Sequence, residues 1–243
     1  MKEYACPEEQ FLRDVGEHKL TVLRDDGVDR HLRFRKPGTS CYGFDLITWP
    51  GHLLITGDCG SFLFRRLDDM FEFFRSDRKP KDELHLNPQY WSEKLLATDC
   101  SGSRGGAAKK FSRETFEANI KRWFDDRFEE EIENDASTDE ADWDNEEDAE
   151  QRAKNVAQRK ARREAIWSQI VSDVLYHSDN EHQAAQAAYD FEHDGFNFQD
   201  FYEVDNTEYT FHFIWCAYAI AWGIKRYDEA RASAAPRPAE AAA

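Results

Sequence analysis

A surplus of positive charge is missing from this sequence: Lys and Arg number 32 against 49 Asp and Glu, for a formal net charge of −17. A general nucleic-acid binder needs the opposite balance, because neutralising phosphates takes Lys and Arg. An anionic membrane surface is excluded on the same ground. The balance suits a partner with a basic surface, or a protein that imitates nucleic acid in front of one. Paired cysteine motifs are missing too. The five cysteines, Cys6, Cys41, Cys59, Cys100 and Cys216, are odd in number and form no CxxC, so a reducing cytoplasm is the simpler setting than a disulfide framework. The opening residues MKEYACPEEQ hold no apolar h-region, so no signal peptide is expected. The most apolar run, Tyr209 to Ile224, is short for a membrane span and carries His212, so it reads as a buried helix. No G-x4-G-K-[ST], H-E-x-x-H or G-x-S-x-G occurs, and there is no internal repeat of 20–50 residues.

Aromatic residues are present at 14 %, enough to build a core in a chain of this length. Residues 1–76 read as a helix followed by a β-meander. Pro7 and the acids after it mark the helix start. Leu20 and Val22 alternate with polar residues, as do Leu32 and Phe34, with the hairpin signal Asp-Asp-Gly between the two runs. CYGFDLITW, HLLITG and SFLFR supply three more strands, separated by Pro50-Gly51 and Asp58-Cys59-Gly60. Connections this short force antiparallel neighbours. Leu67, Met70, Phe71 and Phe74 predict a covering helix.

The remainder reads as helical. Residues 77–128 hold a helix in NPQYWSEKLLA, capped by Asn87, and a long one capped by Ser112 with its apolar face at Phe116, Ile120, Trp123 or Phe124, and Phe128. Residues 129–150 form an acidic insertion or linker: Asp125 to Glu150 contains fifteen acids and one base, Arg127. The next thirteen residues hold six bases and no acid, so loose pairing between the two stretches is one expectation. Residues 151–228 are expected to be helical, closing one helix at Gly195 and sharing a core between Phe116–Phe128, Ile166–Tyr176 and Tyr209–Ile224. Residues 229–243 read as a disordered tail. The predicted fold class is therefore α+β, a small antiparallel meander with flanking helices followed by a mainly helical part.

Three constellations invite chemistry. His52, Asp58 and Cys59 resemble a nucleophilic triad in kind. Yet Asp58 and Cys59 sit in a turn, and His52 lies at the far end of the fourth strand, on the order of 17 Å away. Cys41 and Cys59 fall near one another across the third and fourth strands, so Cys41, Cys59 and His52 define an alternative reactive site at the sheet edge. Two thiols make no structural zinc site, and buried cysteine is commonly a small core residue. His177, His182 and His193, with Asp179, Asp190 and Asp194, have no metal-binding spacing and read as surface residues. No cofactor and no metal are expected.

The acidic run has the clearer consequence. Its bland reading is a solvated linker. Its functional reading is an electrostatic docking surface, with Glu129, Glu130, Glu131, Asp139, Glu140, Asp142 and Asp144 as contact residues and Trp143 as an aromatic anchor.

The stretch GTSCYGFDLITWPGHLLITGDCGSFLFRRLDDMFEFFR, Gly38 to Arg75, followed by LNPQYWSEKLLA, resembles a group of tailed-phage and prophage proteins. The likeness covers the first 100 residues, and its glycines, Trp49 and Pro50 read as structural. By context it implies a counter-defence factor of the Gabija-inhibiting kind, and no functional residue carries over from it. The expectation is a non-enzymatic, phage-encoded protein of the host cytoplasm that occludes a host antiviral nuclease complex, without contacting nucleic acid or membrane. A homo-oligomer remains open. The alternatives are a cysteine- and histidine-dependent enzyme and a phage replication or assembly accessory.

Overall fold

The computed structural model describes residues 4–75, 84–100, 107–136 and 146–234, with the backbone alone for 130–136, 146–150 and 152. The fold is α+β and divides into two compact units. Unit 1 is Met1–Lys110 with Tyr209–Ala243, and unit 2 is Phe111–Glu208. Along the chain, unit 1 supplies α1 (Glu8–Val15), β1 (Lys19–Asp26), β2 (Asp29–Arg35), β3 (Phe44–Trp49), β4 (His52–Gly57), β5 (Gly60–Arg65), α2 (Met70–Arg75), α3 (Pro88–Ser92) and β6 (Leu95–Thr98). The chain leaves it within β7 (Lys109–Phe111). Then come α4 (Arg113–Ala136), α5 (Glu146–Asp173), α6 (Glu181–Asp190), β8 (Glu192–His193) and β9 (Phe196–Asn197). The chain returns within β10 (Thr207–Tyr209) and ends in α7 (Phe211–Ala234).

Unit 1 is a six-stranded antiparallel meander in the order β1 to β6, with α7 packed on it. Strict alternation sends Leu32 and Phe34, Phe44 and Leu46, Leu53 and Ile55, and Phe62 and Phe64 to one face, where all are buried. The register stacks them, Phe34 opposite Phe44 and Leu46 opposite Ile55 opposite Phe62. Pro50-Gly51 makes the sharp reversal between β3 and β4, Gly51 at φ 79. Gly57 answers a different need: a Cβ there would lie 2.2 Å from the Gly43 carbonyl oxygen. α7 comes so close to the sheet that a Cβ at Gly223 would meet Leu46 Cδ1 at 2.8 Å. Phe11 of α1 is wedged against Trp215 and Tyr218 of α7 at ring distances of 5.3 and 5.5 Å.

The charged groups of this unit that are drawn inward are held in pairs. Arg30, 7 % exposed, donates to both carboxylate oxygens of Asp69 at 2.8 and 2.9 Å and lies 4.6 Å over the Phe71 ring. Asp69 also accepts the Phe71 backbone N–H at 2.9 Å, which caps α2. Arg75 forks onto Asp228 of α7 at 2.6 and 3.1 Å.

Unit 2 is a helical layer closed by a hairpin. Ser112 caps α4 by accepting the Thr115 N–H at 3.2 Å. Phe116, Ile120, Phe124 and Phe128 of α4 meet Ile166 and Ile170 of α5, at the 3.6-residue period that makes one face apolar. Ala184 and Ala188 of α6 complete the wall, and the β8–β9 hairpin adds Phe191, Phe196 and Phe198.

Five expectations need correction. The tail expected to be disordered over 229–243 is helical as far as Ala234, where α7 ends. The run Tyr209–Ile224 does not share a core with the helices at Phe116–Phe128 and Ile166–Tyr176. From Phe213 onward its residues join the sheet's core, so residues 151–228 are not one helical region. A helix buried nearly all round shows no preferred face, and period alone could not assign its partner. NPQYWSEKLLA is helical only over Pro88–Ser92, and its Leu-Leu-Ala becomes the edge strand β6. The helix begun at Glu181 stops at Asp190, and Asp194-Gly195, both at positive φ, turn a hairpin instead of closing a helix. Leu67 stays outside α2 and is 43 % exposed.

Candidate functional site

Charge divides between the units unequally. Unit 2 holds 28 acids against 10 bases, a net of −18, and unit 1 holds 21 against 22. Glu129 is exposed on α4, and Glu130 and Glu131 continue the same helix. Asp139, Glu140, Asp142, Trp143 and Asp144 lie outside the described residues. α4 runs to Ala136 and α5 begins at Glu146, so the outer parts of the expected linker are helical.

The basic stretch before Glu164 contributes to internal cohesion. Arg163 donates to Asp125 at 2.7 Å and lies 5.6 Å over the Phe124 ring. Arg162 donates to Asp194 at 2.9 Å and lies 5.6 Å over Phe128. Lys121 bonds the same Asp125 and sits 5.1 Å over Trp167. Burial pushes the Asp125 carboxyl up, but hydrogen bonds from Lys121 and Arg163 outweigh it and hold the group below its ordinary value.

His52 does not converge with the two cysteines of the sheet edge. Cys41 is exposed in the β2–β3 connection, whereas Cys59 is buried in the β4–β5 turn. His52 stands at the opposite end of β4, its Nδ1 bonded to the Pro50 carbonyl at 2.9 Å and its ring stacked on Trp49 at 4.9 Å. Asp58 accepts the Tyr42 backbone N–H at 3.0 Å and so ties the β4–β5 turn to the chain entering β3. The thiol near Cys59 is Cys216 of α7, which donates to the Cys59 carbonyl at 3.6 Å and whose pKa burial pushes up. A thiol protonated by burial is an inert one. Among the described residues no group of three or more His, Cys, Asp and Glu is placed to hold a metal ion. His177 and His182 do line one groove with Asp173 and Asp190.

Two arrangements escaped the sequence reading. On the sheet face away from α7, Asp45 accepts from His31 Nε2 at 2.7 Å and from Arg33 at 2.9 Å. Burial raises its pKa, and the Arg33 and His31 bonds more than reverse that, leaving it below the ordinary carboxylate value. The register puts Arg33 opposite Asp45 and Asp45 opposite Thr56 opposite Ser61, and those two hydroxyls bond each other at 2.8 Å. The His31–Asp45–Arg33 cluster therefore clamps β2 to β3. The H-x-R of β2 facing the F-D-L of β3 was the available signal.

The second arrangement is a cavity of about 650 Å³ within unit 2. α6 forms one side through Glu181, Ala185 and Tyr189, spaced by four and thus on one helix face. Phe111, Phe191 and Phe198 give it an aromatic floor, and Glu192, Asp200 and Tyr202 come from the hairpin and the turn after it. Among the described residues, five carboxylates line it and no Lys, Arg or His does. The E-x3-A-x3-Y spacing was legible, but the opposite side depends on a hairpin that the sequence reading took for the end of a helix.

No known protein family, no curated protein and no solved structure matches this chain. No helix among the described residues is long and apolar enough to cross a membrane.

Proposed function

We propose that the chain is a non-enzymatic binding protein that docks unit 2 on the basic surface of a macromolecular partner. In its fuller form the proposal is a phage-encoded counter-defence factor, acting in the host cytoplasm, that occupies the nucleic-acid path of a host nuclease complex. The observation that carries it is the segregation of charge: the net negative charge of the molecule belongs entirely to unit 2, and unit 1 is close to neutral. A field of one sign speeds encounter with an oppositely charged surface and disfavours nucleic acid itself. Helices α4 and α5 carry the ends of the acidic run.

A purified defence nuclease, its DNA substrate and a salt series test this. The expected result is stoichiometric inhibition that weakens by about tenfold or more between 50 and 200 mM salt. Neutralising Glu129, Glu130, Glu131, Asp139, Glu140, Asp142 and Asp144 together should weaken inhibition and flatten the salt dependence. Salt-independent inhibition, or inhibition by catalytic amounts of the protein, would overturn the reading.

A further inference from the structure

We infer that the unit-2 cavity is a binding site for an arginine side chain presented by a basic segment of a partner protein. The inference rests on the reading that the partner is basic, and it adds where one side chain is received and why an arginine. At about 650 Å³ the cavity lies within the usual size range of built ligand sites. It is larger than one side chain needs, so flanking residues enter with it.

The unit supplies its own precedent. Two guanidiniums of α5 are held the same way, by a carboxylate at the edge and an aromatic ring against the face. Arg163 has Asp125 and Phe124, and Arg162 has Asp194 and Phe128. The cavity repeats the rings and the carboxylates without the cation. Glu181, Glu192 and Asp200 make no side-chain hydrogen bond or ion pair with any described residue. Asp190 and Asp205, in the same wall, are engaged by Gln186 and Thr207. Tyr189 and Tyr202 both line the cavity and are 77 % and 76 % exposed, so their rings are open to an incoming side chain. Tyrosine in such a place is typical of residues that dominate partner binding. A guanidinium satisfies both parts of the site at once, stacking on the ring while forking onto a carboxylate, which a compact ammonium does less well.

The probe is a fluorescein-labelled peptide with four arginines separated by Gly-Ser pairs, titrated against the full chain and followed by anisotropy. Versions carrying citrulline or lysine, and unlabelled spermine as competitor, complete the set. The arginine peptide should bind, the citrulline peptide should not, and the lysine peptide should bind more weakly. Tyr189→Ala with Tyr202→Ala, and separately Glu181→Gln, Glu192→Gln and Asp200→Asn, should each cost roughly tenfold in affinity. All five are exposed positions, and circular-dichroism melts confirm that the variants are folded. Affinity unchanged within twofold in both variants, or no binding of the arginine peptide, overturns the inference. So does spermine competing as well as the peptide, which would make the site one for small polyamines. If only the seven-fold variant of the acidic run weakens the peptide, the cavity fails and the electrostatic reading stands. If the cavity variants weaken the peptide but the nuclease is not inhibited, the reading fails and the cavity stands.

Discussion

Unit 1 and unit 2 treat charge in opposite ways. In unit 1 acids and bases nearly balance, and several are drawn into the structure: Arg30 and Asp45 are each 7 % exposed, and each is held by an opposite charge. In unit 2 acids outnumber bases by 28 to 10, and its ion pairs lie at the surface. A buried pair fixes geometry, because either member alone would be a charge without solvent. A surplus of one sign does nothing for packing and costs self-repulsion. Under the proposed function, the first unit is the scaffold and the second does the recognising.

The comparison breaks most visibly at Arg30. Replacing it by Ala strands Asp69 behind Phe71, removes the cation over that ring and disturbs the cap of α2. The expected loss is about 3–5 kcal/mol, the range for removing one member of a buried pair. Urea unfolding of Arg30→Ala, Asp69→Ala and the double variant measures it. The double variant should recover part of the loss, since it leaves no orphaned charge. A loss below about 1 kcal/mol in the single variant would mean that unit 1 handles its ions as unit 2 does.

Acid sharpens the contrast with a smaller effect. Burial raises Asp69, but hydrogen bonds from Arg30 and the Phe71 N–H prevail, and the folded-state pKa falls below the ordinary 3.8, as it does for Asp45. A carboxyl depressed in the folded state lends stability that is complete above its unfolded value and disappears as pH falls through the folded one. Unit 1 should therefore hold its full share from these two groups above about pH 5 and lose it below pH 4. His18 acts in an earlier window. Burial lowers its pKa from 6.5, against the raising influence of its bond to the Tyr42 carbonyl and of Asp14, with Lys36 adding to the lowering. Its Nδ1 is buried without a hydrogen-bond partner among the described residues. The unfolded chain binds that proton first, so stability falls as pH drops below 6.5, and His18→Gln should flatten that part of the curve. Amide exchange of the β2–β3 pair between pH 7 and 5.5 reports it. An unchanged slope in the variant would show that His18 is not the group responsible.

The two units were also unequally legible. The meander announced itself because Asp-Asp-Gly, Pro-Gly and Asp-Cys-Gly punctuate runs of alternating apolar residues, and both signals are local. The helix caps at Asn87 and Ser112 were local as well. What failed was pairing at a distance. As far as Ile224 α7 is apolar on every side, so nothing in its period said that it belongs to a sheet ended more than a hundred residues earlier. Asp194-Gly195 is a hairpin signal, but the helical run before it made a cap the easier reading. The cavity inherited that error, since one of its sides is the hairpin. Of the acidic contact residues, only Glu129, Glu130 and Glu131 fall among the described residues, and composition alone nominated them.

The smallest expected effect is the sharpest check on unit 2. Arg163 and Asp125 form a 2.7 Å pair, yet their side chains are 44 % and 30 % exposed, and Lys121 bonds the same carboxylate. Water and a second cation both stand ready to replace the guanidinium. Arg163→Ala should therefore cost no more than about 1 kcal/mol, the ceiling for exposed pairs, with part of that from lost contact over Phe124 and Phe128. Adding salt to 0.5 M should shrink the difference between parent and variant, because a Debye length of about 4 Å screens what water has not. The Arg30→Ala deficit, shielded from ions by the core, should hardly respond to the same salt. If the Arg163→Ala loss instead exceeded about 2 kcal/mol and ignored salt, the pair would be structural in the manner of unit 1. The surface charge of unit 2 could then no longer be regarded as reserved for a partner.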